Sequence, residues 1–253
     1  MQRYFAIDKD LNLRETDYHH IRNVMRMKDE DLIEIVYNKV LYKCKVYPNK
    51  KTVKVVDKKE IKDDLMNIDV CFPVLKEQKI DYILQKGTEV GARNFCLFES
   101  KRSVVKFDKT SFSKKSKRWQ TICKEAAEQS FRISIPRIDN VLSINELAKL
   151  NYDLKILCTL NEKTKNIKKV LQNKTKYDTI LIVTGPEGGF DKTEEEILIK
   201  NGFVSVSLGN NCLRAETAPI VALSMIYYEF MRWFLWRSYW HQHRILLIIF
   251  MII

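Results

Sequence analysis

The fold class predicted is α/β: a small, half-exposed β-barrel followed by a mainly parallel sheet with helices on both faces. Three observations predict it. Over the first 70 residues short stretches alternate apolar with charged side chains, as Tyr42, Cys44 and Val46 do with Lys43 and Lys45. A charged link, Asp57–Asp64, then breaks the pattern. Beyond it strands alternate with helices, and strands such as TILIVT are apolar without interruption, as a sheet covered on both faces requires.

Each element follows from a local signal. Tyr4–Ile7 opens the barrel, and Leu32–Tyr37, Val40–Tyr47 and, after the turn Pro48–Lys51, Thr52–Val56 continue it as antiparallel strands. One helix interrupts them. Asp17 reads as its N-cap, Ile21, Val24 and Met25 as its buried stripe, and His19, Arg22 and Arg26 as its other face. In the second unit strands are expected at Val70–Val74, Phe95–Phe98, Leu154–Thr159, Thr179–Thr184 and Val204–Leu208. Helices are expected around Lys79–Val90, Ser116–Phe131, Ile144–Leu150, Thr193–Asn201 and Ala218–Phe230. Lys86 and Glu89 sit three apart on one of them as an ion pair. The division is therefore 1–70, 71–230 and a tail, 231–253.

That tail does not match the body. It holds three of the four tryptophans and two of the four histidines, no lysine follows Lys200, and no acid follows Glu229. Its final apolar run, Ile245–Ile253, is too short for a membrane span, which needs about 20 residues. The expectation is a segment outside the fold: a frame error, a cloning scar or a divergent end. A peripheral anchor is the less favoured reading.

Lysine and arginine number 44 against 32 acids, a net charge of +12. An excess of this size suits a polyanionic partner such as nucleic acid, and equally a solvated basic surface. The six cysteines form no CxxC or CxxH pair, which argues against a zinc site and a disulfide scaffold. The amino terminus, MQRYFAIDKD, lacks the apolar stretch of a signal peptide. A reducing cytoplasm is the expected compartment.

The chain has seven glycines, yet Gly185, Gly188 and Gly189 fall together in IVTGPEGGF, after a buried strand and before a helix. Thr193 with Glu196 reads as that helix's capping box and Gly202 as its C-terminal cap. Ligands of α/β folds collect at this end of a strand. The spacing is neither GxGxxG nor GxxxxGK[ST], so a dinucleotide and a P-loop are poorly supported. A second loop, SLGNNCLRAETAP at Ser207–Pro219, brings Gly209, apolar Cys212 and Leu213, then Arg214 and Glu216. Either loop alone reads as a tight turn. Side by side they make a pocket of backbone amides with apolar walls, suited to an adenosine-like ligand.

These residues resemble the SPOUT-class methyltransferases, and within them the RsmE family, which methylates N3 of a uridine in 16S ribosomal RNA. TGPEGGF and SLGNNCLRAETA carry the resemblance, with QRYF, HHIRNVMRMKDED, KIDYILQKGTEVGA, SKRS and KRWQTICKEAAEQSFR in the same order; it covers roughly residues 2 to 230. It implies a PUA-like barrel, then a catalytic domain with a trefoil knot, a homodimer, and S-adenosylmethionine as methyl donor; no metal is expected, on the cysteine spacing above. Three loops would hold the donor: Cys158–Asn161 with Thr159 and Leu160, Thr184–Phe190 with Gly185, Glu187, Gly188 and Gly189, and Ser207–Leu213 with Leu208, Gly209, Cys212 and Leu213.

Methylation at N3 needs that nitrogen's proton removed and the resulting negative charge on the ring stabilised. Arg214 is the candidate cation; pairing with Glu216 or Glu187 is its competing structural role. Glu216 is a possible base, and an Arg–Glu pair would weaken it. Arg3, His19, Arg22, Arg26, Lys101, Arg102 and Arg132 are candidate RNA contacts, with Lys106, Lys114, Lys115, Lys117 and Arg118 beside them. A related knotted methyltransferase acting on another rRNA or tRNA nucleotide, and a non-catalytic RNA-binding protein, remain as alternatives.

Overall fold

In the computed structural model the described residues are 1–61, 66–103, 105, 109–172 and 177–230. The expected tail lies outside them. The first sheet is ordered β1-β2-β3-β4: β1 (Gln2–Phe5), β2 (Asp31–Tyr37), β3 (Val40–Tyr47) and β4 (Thr52–Glu60). β2, β3 and β4 are antiparallel as expected, whereas β1 runs parallel to β2. Parallel pairing needs a crossover, and the helical segment between the two strands supplies it. β4 runs through the first half of the charged link, pairing Asp57–Glu60 with Val40–Lys43. It is an exposed edge strand dense in lysine, a composition that discourages edge-to-edge association.

The helical segment is less regular than its spacing predicts. α1 (Glu15–His19) is capped by Arg14, not Asp17, and passes into a π-helical turn at His20–Val24. Asp17 sits three residues inside and its carboxylate accepts from the Arg14 N–H. The widened turn breaks the 3.6-residue period, so Ile21 is buried while Val24 and Met25 face solvent.

The second sheet is ordered β10-β8-β9-β5-β6-β7, every pair parallel. Its strands are β5 (Ile68–Pro73), β6 (Asn94–Phe98), β7 (Arg137–Leu142), β8 (Leu154–Cys158), β9 (Ile180–Thr184) and β10 (Phe203–Val206). The uninterrupted apolar strands feed two cores. Ile180 and Ile182 of β9 join Ile68, Val70, Phe72 and Ile156 on one face. Leu181 and Val183 join Cys71 and Leu157 on the other. Each such fully buried side chain contributes about 1.5–3 kcal/mol of transfer free energy. The helices are α2 (Glu77–Val90), α3 (Lys109–Gln129), α4 (Ile144–Ala148), α5 (Ile167–Leu171), α6 (Lys192–Lys200) and α7 (218–230).

The two units meet along β1, α1 and α3. Phe5 and Val36 pack on Ala127. The Lys124 ammonium, nearly sealed from solvent, donates to Asp17 at 2.6 Å and to Glu128 at 2.6 Å. Burial pushes the Glu128 carboxyl up to about 6; Lys124 opposes that rise and Asp17 adds to it. The backbone N–H of Phe5 also donates to Glu128. Arg3 was expected to meet RNA. Its guanidinium instead lies inside this junction, paired with Glu34 at 2.6 Å and donating to the carbonyls of Phe131 and Arg132. Arg132 is likewise turned inward, donating to the carbonyls of Thr88 and Ala92. Both arginines complete backbone acceptors at and just past the C-terminal ends of α2 and α3 that burial would leave unmatched.

Candidate active site

β8, β9 and β10 are neighbours, so the loops that leave their C-terminal ends converge. The loop after β8 carries Thr159 and Leu160; that after β9 carries Gly185, Glu187, Gly188 and Gly189; that after β10 carries Leu208, Gly209, Cys212 and Leu213. All ten line one cleft of about 650 Å³, within the usual range for a small-molecule site. Leu160, Leu208 and Leu213 give it apolar walls, and Cys212 is its exposed thiol. The loop after β10 is fixed against the first by a hydrogen bond from Ser207 N to the Lys165 carbonyl and a parallel bridge between Asn166 and Ser207. Asn161 is tied to Glu195 of α6.

The glycines have distinct causes. A hydrogen bond from Gly189 N to the Pro186 carbonyl closes a tight turn, and Gly189 adopts φ +69°. Gly209 adopts φ +128°. A side chain there would be strained, and at both positions the space beside the backbone is open. Gly185 is demanded by the protein itself: a Cβ would lie 3.0 Å from the Phe190 ring, which is buried and stacked on Phe98. At Gly188 the neighbour is the Arg102 side chain, whose guanidinium donates to the Gly188 carbonyl at 3.1 Å.

The helix after this loop starts earlier than its sequence suggests. Asp191 is the N-cap of α6, and Glu194 completes the box in place of Thr193 with Glu196. The Thr193 hydroxyl and N–H, then Lys101, hold the Asp191 carboxyl down at about 2. Glu194 accepts from Ser100 Oγ and from Lys101 N. Lys101 Nζ in turn donates to Thr193 Oγ1 at 2.6 Å. Lys101 and Arg102 thus brace the glycine loop from outside, and both remain exposed.

Arg214 lines the cleft and is exposed; among the described residues no hydrogen bond or ion pair engages its guanidinium. The carboxylates expected to compete for it are held by Lys79, whose Nζ lies 3.1 Å from Glu187 Oε1 and 3.1 Å from Glu216 Oε2. Lys79 was missed in the sequence because its partners are over a hundred positions away. Topology explains the meeting: β5 pairs with β9, so α2, which follows β5, begins beside the loop that follows β9. Burial raises the Glu216 carboxyl, but its own backbone N–H, Lys79 and the Arg214 charge outweigh that and leave it below the ordinary value. A carboxylate so held is a counter-ion first and a weak proton acceptor.

His19 and Arg22 are exposed on the helical segment, while Arg26 falls beyond it at φ +52°, so the three do not share one helix face. Arg118 is committed to Glu77 and Asp81, and Lys115 to Glu77. Lys114 and Lys117 stay exposed on α3, and Lys106 lies outside the described residues. The Lys86–Glu89 pair forms at 2.9 Å.

Residues 62–227 match the family model described as an RNA methyltransferase domain, and residues 13–58 match the RNA methyltransferase PUA domain. The ribosomal RNA small subunit methyltransferase E of Bacillus subtilis (strain 168) is 36% identical over 248 residues, spanning 90% of this chain and 97% of its own length. The chain belongs to the ribosomal RNA small subunit methyltransferase E family. Its member from Mesomycoplasma hyopneumoniae is 32% identical over 88% of this chain and 98% of its own. A methyltransferase E from Neisseria gonorrhoeae, solved bound to S-adenosyl methionine, shares the fold with a TM-score of 0.76 at 24% identity, covering 89% of this chain and 96% of its own. The N-terminal sheet is thus the PUA-like unit of a methyltransferase E, and the six-stranded unit is its RNA methyltransferase domain.

Proposed function

We propose that this methyltransferase E transfers a methyl group from S-adenosylmethionine to N3 of a uridine in 16S ribosomal RNA of the small subunit. The observation that carries the reading is the Arg214 guanidinium, which lines a three-loop cleft and has no partner among the described residues. The cleft fits the donor on its own terms. Gly189 and Gly209 leave room for a ligand to lie on the main chain, and leucines line the walls. The residues that would hold the donor are Thr159 and Leu160, Gly185 through Gly189, and Leu208 through Leu213. When bound, S-adenosylmethionine supplies an electrophilic methyl carbon on its sulfonium.

The chain's own work is to orient and to stabilise charge. Fixing uracil N3 in line with the methyl lowers the barrier by proximity. As the N3 proton leaves, negative charge spreads onto the ring carbonyl oxygens, and Arg214 provides the fixed cation for it. Glu216, bound to Lys79, serves as a counter-ion; the proton goes to hydroxide or phosphate. The uridine must be unpaired or flipped out, because N3 is occupied in a Watson–Crick pair. His19, Arg22, Arg26 and the exposed flank of Lys101 and Arg102 are the surface offered to the RNA backbone.

The catalytic unit acts as a homodimer in the cytoplasm, with the segment after β10 threaded as a trefoil knot. Exposed Met225 and Tyr228 on α7 support the first point, and the Ser207 contacts with Lys165 and Asn166 support the threading. The test is methyl transfer to small-subunit particles followed by nucleoside analysis, with 3-methyluridine expected. Product on tRNA or at another ring position would refute the reading. Calorimetry that detects no binding of S-adenosylmethionine would favour a non-catalytic RNA-binding protein. Arg214→Ala should abolish turnover and leave donor affinity nearly unchanged; equal loss of both would make Arg214 structural.

A further inference from the structure

We infer that Lys79 is a positioning residue for Arg214: it occupies Glu187, which lines the cleft, and Glu216, two residues from Arg214, so that the guanidinium stays free for the substrate. The inference rests on the methyl-transfer reading above. The loops after β9 and β10 bring three charged side chains to Lys79 and to one another. Glu187 follows β9, and Arg214 and Glu216 follow β10. Left to themselves, two carboxylates and one guanidinium would pair, because the planar fork of arginine matches a carboxylate in a bidentate geometry. Arg214 would then be neutralised and turned from the space where negative charge develops. The structure shows a different pairing. Lys79 enters from α2 and places its ammonium 3.1 Å from each carboxylate. The Lys79 side chain is three-quarters buried and that of Glu216 is 17% exposed, whereas Glu187 is the more open partner at 32%. Arg214 is only two residues from Glu216, close enough for its charge to help depress that carboxyl.

A simple staple between the two loops would use the same contacts, and a rescue variant separates the two roles. Wild type, Lys79→Met, Glu216→Gln and the Lys79→Met/Glu216→Gln double variant are compared by kcat and KM on small-subunit particles. Donor affinity is measured by calorimetry and the position of Arg214 by crystallography. Lys79→Met should lower kcat roughly 10- to 100-fold, less than the 100- to 1000-fold typical of deleting a transition-state donor outright. Its affinity for S-adenosylmethionine should stay within about threefold of wild type. Its crystal structure should show Arg214 within about 4 Å of Glu216. The double variant should recover to within about fivefold of the wild-type kcat, because Glu216, the carboxylate that the Arg214 charge already reaches, is gone, while Glu187 stands on the other loop. Lys79→Gln gives the same series should the methionine variant fail to fold.

A double variant as slow as Lys79→Met, or an Arg214 that has not moved, would overturn the inference. Parallel loss of donor affinity would assign Lys79 to shaping the cleft. A wild type inactive on every RNA would refute the methyl-transfer reading instead, and the Arg214–Glu216 distance in the crystal would still decide what Lys79 does.

Discussion

Glu128→Gln should make the protein's stability less dependent on pH, by an amount the domain junction sets. Glu128 is buried between the two units, accepting from Lys124 and from the N–H of Phe5. Its carboxyl is raised from the ordinary 4.5 to about 6, first by burial. The folded protein therefore holds this proton more tightly than the unfolded chain. The associated stability is fully present below pH 4.5 and is lost as pH rises through about 6. At about 1.36 kcal/mol per pH unit of displacement, the loss is about 2 kcal/mol. Glutamine keeps an acceptor for Lys124 and Phe5, does not titrate, and leaves Asp17 to balance the ammonium. The assay is urea unfolding of the full chain, wild type and variant, at pH 4 and pH 7. Other acids titrate in both proteins and cancel in the difference. Relative to wild type, the variant should gain about 2 kcal/mol between pH 4 and pH 7. A flat difference, or one of opposite sign, would mean that Lys124 keeps Glu128 ionised throughout and that burial is not the dominant influence.

Gly189→Val puts a β-branched residue at φ +69°, which should cost about 1–3 kcal/mol and remove donor binding; a normal melting temperature with normal calorimetry would contradict the turn described. Gly185→Ala drives a Cβ to 3.0 Å from a ring stacked on Phe98, and a destabilisation of about 1–3 kcal/mol is expected in thermal unfolding. Arg3→Met strands Glu34 at the junction and should cost about 3 kcal/mol in denaturant unfolding, while the salt dependence of RNA binding stays as in wild type. A reduced salt slope with unchanged stability would return Arg3 to the RNA surface.

The sequence exposed what depends on local pattern and hid what depends on closure of the chain. β9 was legible because a fully buried strand has no polar positions. The loop after β9 was legible because three of the chain's seven glycines cluster there, and the loop after β10 because Gly209 and a charged pair follow a strand; the loop after β8 has no glycine and was reached only through the family resemblance. β7 was missed: Arg137–Leu142 pairs with β6 across a register shift between Phe95 and Leu97, so its alternation is broken. α5 was missed because five residues carry too little periodicity, although Asn166 caps it and Ile167, Val170 and Leu171 form its buried stripe. The basic residues misled most. Arg3, Arg118 and Arg132 count toward a net charge of +12, yet they serve internal carboxylates and carbonyls. Lys79 and Lys124 likewise acquire their roles only when distant strands meet.

The strand order of the six-stranded sheet constrains how the protein is born. β5 emerges early in synthesis, but its partner β9 and two of the three loops of the cleft come from the last third of the chain. Until then one flank of β5, apolar but for Asp69, has no hydrogen-bonding neighbour, and nascent molecules can stick to each other along it. The same late segment shields that flank and supplies the loops around Gly189 and Gly209. Premature termination would therefore yield polypeptides both prone to clump and unable to bind a donor.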